Sequence, residues 1–254
     1  MTTYRHSGTL GDLIYSLSVV KKMDNSAEFL VALHNIENCV SQYGYRPEEV
    51  DPAHKGRFTE QDFEWLKPLL ERQSYIKEVV TWRQGEPEPD VDLDRFRGTL
   101  FRGFEGNYVE AYHRAFNIEF DNTVYSETWL ETDPKLVAPI VISRTSRYRS
   151  PNGNDQWRET VSGIDLENLA VFVGTAAEHA DFVQTVGQQI TYCPVTDFLE
   201  LANIVSAADL VMANQNFVYS LAMATGRSAV LETIKIKPLQ NNECYFPRSS
   251  ITYF

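Results

Sequence analysis

Cysteine is scarce in this chain, basic residues are outnumbered, and no long apolar run occurs. The three cysteines, Cys39, Cys193 and Cys244, are odd in number and far apart. They make neither a disulfide framework nor a cysteine-built metal site, so a reducing, cytoplasmic setting is expected. No stretch approaches the roughly 18 apolar residues of a membrane span. Met1 to His6 lead into no apolar run of the signal-peptide kind. Lys and Arg number 23 against 35 Asp and Glu, a formal net charge of −12. Such a surface repels polyanions and argues against unspecific nucleic-acid binding, which needs many cationic phosphate contacts. It leaves room for a local basic pocket, for which Arg144, Arg147 and Arg149 are the nearest cluster, with Arg147 and Arg149 reading more as surface residues. His34, His54, His113 and His179 have no metal-ligand spacing. Asp90, Asp92 and Asp94 follow a Pro-rich stretch and read as a solvated acidic loop, so no metal ion is expected.

What is present is enough apolar residue for a proper core, 43% of 254 positions, and one informative stretch near the start. His6-Ser-Gly-Thr-Leu-Gly-Asp-Leu-Ile-Tyr-Ser-Leu17 sets Gly8, Thr9, Gly11 and Asp12 where an amphipathic helix begins. A helix start offers backbone N–H groups without partners, and glycine lets a ligand approach them. A phosphate or a sugar suits such a place, and Asp12 adds a carboxylate over it. An ordinary glycine turn capped by Asp12 fits the same residues.

Along the chain, short apolar runs alternate with helical patterns. Strands are expected at Thr3 to His6, Glu28 to Leu33, Ile76 to Trp82, Ala138 to Ser143, Ala170 to Gly174, Thr191 to Pro194, Asp209 to Ala213 and Ala229 to Glu232. Helices are expected at Leu13 to Val20, after a Thr59 cap with Asp62 three residues on, and at 107–116, 155–161, 176–185, 197–207 and 216–226. Residues 35–56 read as an irregular excursion and Gly85 to Asp90 as a break. Strand–helix alternation means parallel sheets covered on both faces. The polar Glu131-Thr-Asp-Pro134 marks a boundary between an N-terminal unit, 1–135, and a C-terminal unit, 136–254, with a ligand cleft between them.

The order of these pieces resembles the heptosyltransferase-like (family 9 type) glycosyltransferases. Three stretches carry it: Ser7 to Leu17; Ile140-Val-Ile-Ser143-Arg144; and Leu201 to Gly226, with Asp209-Leu-Val-Met-Ala213-Asn-Gln-Asn216 at its centre. The resemblance implies an α/β protein of the GT-B kind, with two facing Rossmann-like domains, parallel sheets and an interdomain cleft. It implies metal-independent transfer of a sugar from a nucleotide-sugar, a co-substrate rather than a cofactor, to a hydroxyl acceptor. Asp12 matches the family's catalytic base. Gly8, Thr9, Gly11, Ser143, Arg144, Gly174, Asn214, Gln215, Asn216 and Ser220 match or flank its donor-binding positions. The family often has a histidine and an acidic residue in the third stretch, where this chain has Tyr219 or Ser220 and Asn214.

Sugar transfer needs a base for the acceptor hydroxyl, cationic or N–H groups for the departing diphosphate, and a cleft that aligns both. The expected division gives the acceptor pocket and base to the N-terminal domain and the donor to the C-terminal one, with closure excluding water. Residues 40–58 and 85–107 are the expected acceptor loops, and a glycan or small molecule is expected as acceptor ahead of DNA. Two other readings stay open. An enzyme acting on a modified DNA base would use a basic rim at Arg95, Arg97 and Arg102. A degenerate protein would bind a nucleotide or glycan without transfer. A Rossmann reductase is disfavoured because Gly8-Thr-Leu-Gly11 lacks the three-glycine fingerprint.

Overall fold

The computed structural model of the chain describes residues 1–33, 58–100, 104, 106–234 and 244–254. His34, Cys39, His54, Arg102 and the 35–56 excursion lie outside them, as does most of the 40–58 acceptor loop.

Two parallel sheets organise the molecule. The first contains β1 (Thr3–His6), β2 (Ala27–Ala32), β3 (Ile76–Trp82) and β4 (Val91–Asp92), in the order β3-β2-β1-β4. Its helices are α1 (Leu10–Met23), α2 (Glu60–Glu71), α3 (Phe96–Leu100) and α4 (Tyr108–Ala115). The second sheet contains β5 (Ile140–Ser143), β6 (Ala170–Phe172), β7 (Thr191–Tyr192), β8 (Leu210–Asn214), β9 (Ser228–Glu232) and β10 (Ile251–Tyr253). With these go α5 (Gly153–Thr160), α6 (Leu166–Leu169), α7 (Ala176–Val186), α8 (Phe198–Ala207) and α9 (Phe217–Ala224). Its order is β10-β9-β8-β5-β6-β7, all parallel. Counted from its own first strand this is 3-2-1-4-5-6, the doubly wound dinucleotide-fold order.

Strand order reverses beside β1 in the first sheet and beside β5 in the second. At such a reversal the loops leaving two neighbouring strands part to opposite faces and open a crevice beyond the strand ends. The first crevice therefore lies between the ends of β1 and β4, the second between those of β5 and β8.

Local chemistry sets the helix starts. Thr59 and Asp62 close a reciprocal capping box before α2, and Thr175 and Glu178 close another before α7. Asn107, Asp197 and Asn216 cap α4, α8 and α9 with side-chain oxygens. Helix α1 runs a turn longer than its apolar core suggests. Its cap is Thr9, whose side chain makes no capping hydrogen bond, so Asp12 sits inside the first turn rather than at the cap.

Alternation along the second sheet sorts the core. Ile142, Phe172 and Met212 face a cluster with Trp157 and Phe182. Val141, Val171, Val211 and Leu231 face the other way, into a cluster that continues without a break through α1, α9 and the first sheet. Trp129 crosses this seam. Its backbone N–H donates to the Ala224 carbonyl at 3.0 Å and its indole N–H to the Ile14 carbonyl at 2.9 Å.

Two strands escaped the sequence. β4 is two residues long and β10 three, too short for a period to show. β4 is nonetheless the strand that creates the first reversal. The acidic run around it is solvated only at its start, where Asp90 is exposed. Asp94 is fully buried and accepts from the Ser7 N–H at 3.1 Å; Asp92 accepts from Arg5 at 3.0 Å; Asp90 accepts from the Thr3 N–H at 2.9 Å. These carboxylates staple β4 to β1.

Candidate functional site

A cleft of about 410 Å³ lies between the two sheets and opens on both crevices. From the N-terminal side it is lined by Thr9, Leu10, Gly11 and Asp12 at the start of α1, with Tyr15, Phe58, Asp62 and Tyr108 beside them. From the C-terminal side come the loop after β5, Thr145 to Tyr148, then Glu178, and Gln215 to Phe217 at the start of α9. Two helix N-termini thus meet one cavity. Each leaves first-turn amides without intrahelical acceptors and carries the positive end of a helix dipole.

Asp12 is largely buried, and its carboxylate accepts from the Arg97 guanidinium at 3.0 Å. Arg97 also reaches the Asp94 carboxylate at 3.4 Å and donates to the Gly8 carbonyl. It is therefore no part of a basic rim for DNA; it is turned inward and neutralised. Arg95 is exposed and lies 6.0 Å from the Phe116 ring.

Gly8, at φ +113°, takes a backbone shape that favours glycine. Its N–H donates to His6 Nδ1 at 3.0 Å, so it serves the fold rather than facing the cavity. With Nδ1 accepting, neutral His6 carries its proton on Nε2 and donates it to Tyr112 Oη, 2.8 Å away. Burial, helped by the nearby Arg97 charge, lowers the His6 pKa to about 3. His6 is thus a buried neutral strut. Gly11 does line the cleft, and it sits against Ser220 across the seam; a Cβ there would lie 3.7 Å from Ser220 Oγ. Ser220 is fully buried and donates to the Phe217 carbonyl at 2.7 Å, which makes it a helix-packing residue.

Arg144 departs furthest from expectation. It is 1% exposed, a buried polar group rather than a diphosphate ligand or a solvated pair. Its Nε and one terminal nitrogen make a forked contact with Glu232 at 2.8 and 3.0 Å. Its other terminal nitrogen donates to Asn154 at 2.7 Å. Glu232, equally buried, also accepts from Trp157 Nε1 at 2.7 Å and the Ser150 N–H at 3.0 Å. A charge this deep is tolerable only when it is well paired, and here each guanidinium nitrogen and both carboxylate oxygens have a partner.

Asn214 and Ser143 are also consumed by the fold. Asn214 is buried, accepts from the Thr145 N–H at 3.1 Å and donates to the Thr145 and Arg147 carbonyls, locking the loop after β5 to β8. Ser143 is buried and accepts from Asn216 Nδ2 at 3.1 Å. Asn216 lines the cleft and caps α9, accepting from the Tyr219 N–H at 3.2 Å. Gln215 lines the cleft. Gly174, at φ +145°, is exposed at the end of β6, and its carbonyl accepts from Tyr192 at 3.0 Å.

Arg147, read as a surface residue, lines the cleft instead. It stands over the Tyr148 ring at 4.8 Å and donates to that hydroxyl at 2.8 Å, while its Nε is buried without a hydrogen-bond partner. Tyr148 sits at φ +54°, a strained setting for an aromatic residue and one that concentrates at functional sites. The signal that would have found the pair is the strand order, because the loop after β5 must border the second crevice. Among the described residues no three His, Cys, Asp or Glu side chains converge as a metal site requires, and no helix is long and apolar enough to cross a membrane.

The sequence matches no protein-family model and no curated protein. Solved structures match nearly its whole length. A family 9 glycosyl transferase from Veillonella parvula superposes with a TM-score of 0.59 at 11% identity, covering 99% of this chain and 84% of that one. The E. coli ADP-heptose LPS heptosyltransferase II gives 0.55 at 12%, covering 100% and 90%. The E. coli heptosyltransferase WaaC with ADP gives 0.50 at 10%, covering 99% and 92%. The fold is that of the GT-B glycosyltransferases. The starts of α1 and α9 both line the cleft.

Proposed function

We propose that the protein transfers a sugar from a nucleoside-diphosphate sugar to a hydroxyl acceptor, with Asp12 as general base. The observation that carries this reading is convergence: a carboxylate on the first turn of α1 faces the same cavity as Arg147 and the α9 N-terminus. Asp12 takes the proton of the acceptor hydroxyl, whose oxygen attacks the anomeric carbon. The bond from that carbon to the diphosphate breaks, and the nucleoside diphosphate leaves with the bonding electrons. Arg147 and the first-turn amides of α9 stabilise its new charge. Two of the superposable structures are named for ADP-heptose or hold ADP, which supports an anionic nucleotide in this cleft. The cationic work is assigned to Arg147 and the helix termini, so activity is expected to survive EDTA.

Asp12→Asn is the direct test. The amide keeps the size and a contact to Arg97 but cannot accept the proton. Transfer is expected to fall by roughly 10²–10⁴-fold, with donor affinity nearly unchanged. Full transfer by this variant would remove Asp12 from the role. A second reading, nucleotide or glycan binding without transfer, draws on the Asp12–Arg97 pair, which occupies one carboxylate oxygen at 3.0 Å. Calorimetry showing donor binding, with neither hydrolysis nor transfer over many hours, would favour it.

A further inference from the structure

Helices α1, α2 and α7 begin with the same pattern, a threonine followed three positions later by an acid: Thr9 and Asp12, Thr59 and Asp62, Thr175 and Glu178. In α2 and α7 the acid closes a reciprocal capping box. In α1 the Thr9 side chain makes no capping hydrogen bond, so no such box closes. Asp12 instead pairs with Arg97, whose Nη2 lies 3.0 Å from its Oδ2. A carboxylate with the sequence of a helix cap has been drawn to a cation at the edge of the cleft.

Arg97 is itself held on every side. Its Nε lies 3.4 Å from Asp94 Oδ1, its Nη2 also donates to the Gly8 carbonyl, and its Cζ stands 4.8 Å from the Phe96 ring centre. Phe96 is fully buried and stacked on Tyr112, with centroids 4.1 Å apart. Asp94 is fixed in turn. Its Oδ2 accepts from the Ser7 N–H at 3.1 Å, and its own N–H donates to Asp92 at 3.1 Å. The anchor of this chain is thus the β1–β4 pairing that makes the first reversal of strand order.

We infer that Arg97 is a positioning residue for the transfer step, and that the chain Asp94–Arg97–Asp12 aims the base. Arg97 holds Oδ2, and Oδ1 is the oxygen that takes the acceptor proton; no proton moves to or from the guanidinium. This rests on the transferase reading and deepens it by naming what orients its base. A carboxylate turns freely about its last bond unless something holds it, and a displacement of about 1 Å at a reacting group costs up to about 10²-fold in rate. Arg144 grips both oxygens of Glu232 in a forked pair. The printed contact of Arg97 with Asp12 is to one oxygen, which orients the carboxylate without consuming it.

The test reads nucleoside-diphosphate release from ADP-heptose, ADP-glucose, GDP-mannose and UDP-glucose, with water as the attacking hydroxyl. Removing Arg97 alone would strand buried Asp94, so Arg97→Gln is combined with Asp94→Asn, which keeps an oxygen for the Ser7 N–H. This pair of changes is expected to lower kcat by roughly 10- to 100-fold and to leave donor KM within about twofold. Arg97→Lys, with Asp94 intact, is expected to recover part of the loss. In an Asp12→Asn background the same pair of changes is expected to alter kcat by less than about twofold, because Arg97 acts through Asp12. An equal fold-loss in both backgrounds, or a loss confined to donor KM, would overturn the inference and leave the transferase reading standing. Calorimetric binding of these nucleotides with no cleavage of any would sink the transferase reading and the role of Arg97 with it. Nitrogen-15 NMR of the arginine side chains tests the geometry without turnover. The two Nη signals of Arg97 are expected to stay separate in wild type, and their averaging by free rotation would overturn the inference whatever the activity.

Discussion

Arg144 shows how residue type and residue role separate. Sequence placed an arginine directly after a central strand, where phosphate ligands are common, and the chemistry of the side chain allowed that use. What sequence did not show was Glu232, 88 positions away, entering the same interior. Only the register that sets β8 between β5 and β9 brings the two together. Arg144→Ala should therefore act on stability rather than on the ligand. It strands a buried carboxylate and is expected to cost about 3–5 kcal/mol by denaturant unfolding. Nucleoside-diphosphate affinity per folded molecule should be unchanged, and a selective loss of diphosphate binding would return Arg144 to the site. His6 makes a second residue-scale prediction. Its pKa falls from 6.5 to about 3 on folding. Above pH 6.5 the ring is neutral in both states. As pH drops below 6.5 the unfolded chain takes up a proton that the folded chain refuses until about pH 3. Stability is thus complete at neutral pH and declines with acid, by up to about 1.4 kcal/mol per pH unit for one proton. His113, lowered mainly by burial, adds to the same trend. Comparing unfolding at pH 7 and pH 5 avoids most carboxylate titration. His6→Gln should lose about 2 kcal/mol less than wild type across that interval; an identical loss would mean that His6 is protonated in the fold.

At the scale of elements, most of the architecture was readable because it is local. The Thr59–Asp62 box, the Asn216 cap and the valine-rich strands are each written within a few residues, and the structure places helices and strands close to them. What was not readable depends on partners. β4 is two residues held by Asp90, Asp92 and Asp94, and those carboxylates look solvated until β1 is beside them. The same holds for the cleft. Asp12, Thr9, Gly11, Gln215 and Asn216 line it as their position at helix starts suggested, whereas Arg147 and Tyr148 come from a loop whose path sequence does not fix. Helix α5 carries an element-scale prediction. Its first residue, Gly153, lies so close to the Arg144–Glu232 pair that a Cβ there would collide with the Glu232 carboxylate and come within 2.8 Å of the guanidinium. Gly153→Ala should cost about 1–3 kcal/mol through that overlap, despite alanine's better helix propensity. A neutral or stabilising effect in thermal unfolding would show that the α5 start can shift away from the ion pair.

For the molecule as a whole, the seam between the two sheets decides how it moves and unfolds. Interfaces between units of one chain that are small and polar permit rigid-body closure, while large apolar ones do not. Here Val141, Val211 and Leu231 of the second sheet share one buried cluster with Leu13, Leu17 and Phe29 of the first half. Gly11 meets Ser220, Trp65 meets Phe198 edge-on at 5.4 Å, and Trp129 bonds to both sides. Opening the halves would expose that core, and melting one half alone would strip the other of its covering face. A shared core of this kind favours a fixed frame over the closure expected from the two-unit organisation. Scanning calorimetry should give one cooperative transition, and small-angle scattering should give the same radius of gyration with and without a bound nucleoside diphosphate. Two resolved transitions, or a radius that contracts on nucleotide binding, would show that the seam parts and that the halves work as hinged domains.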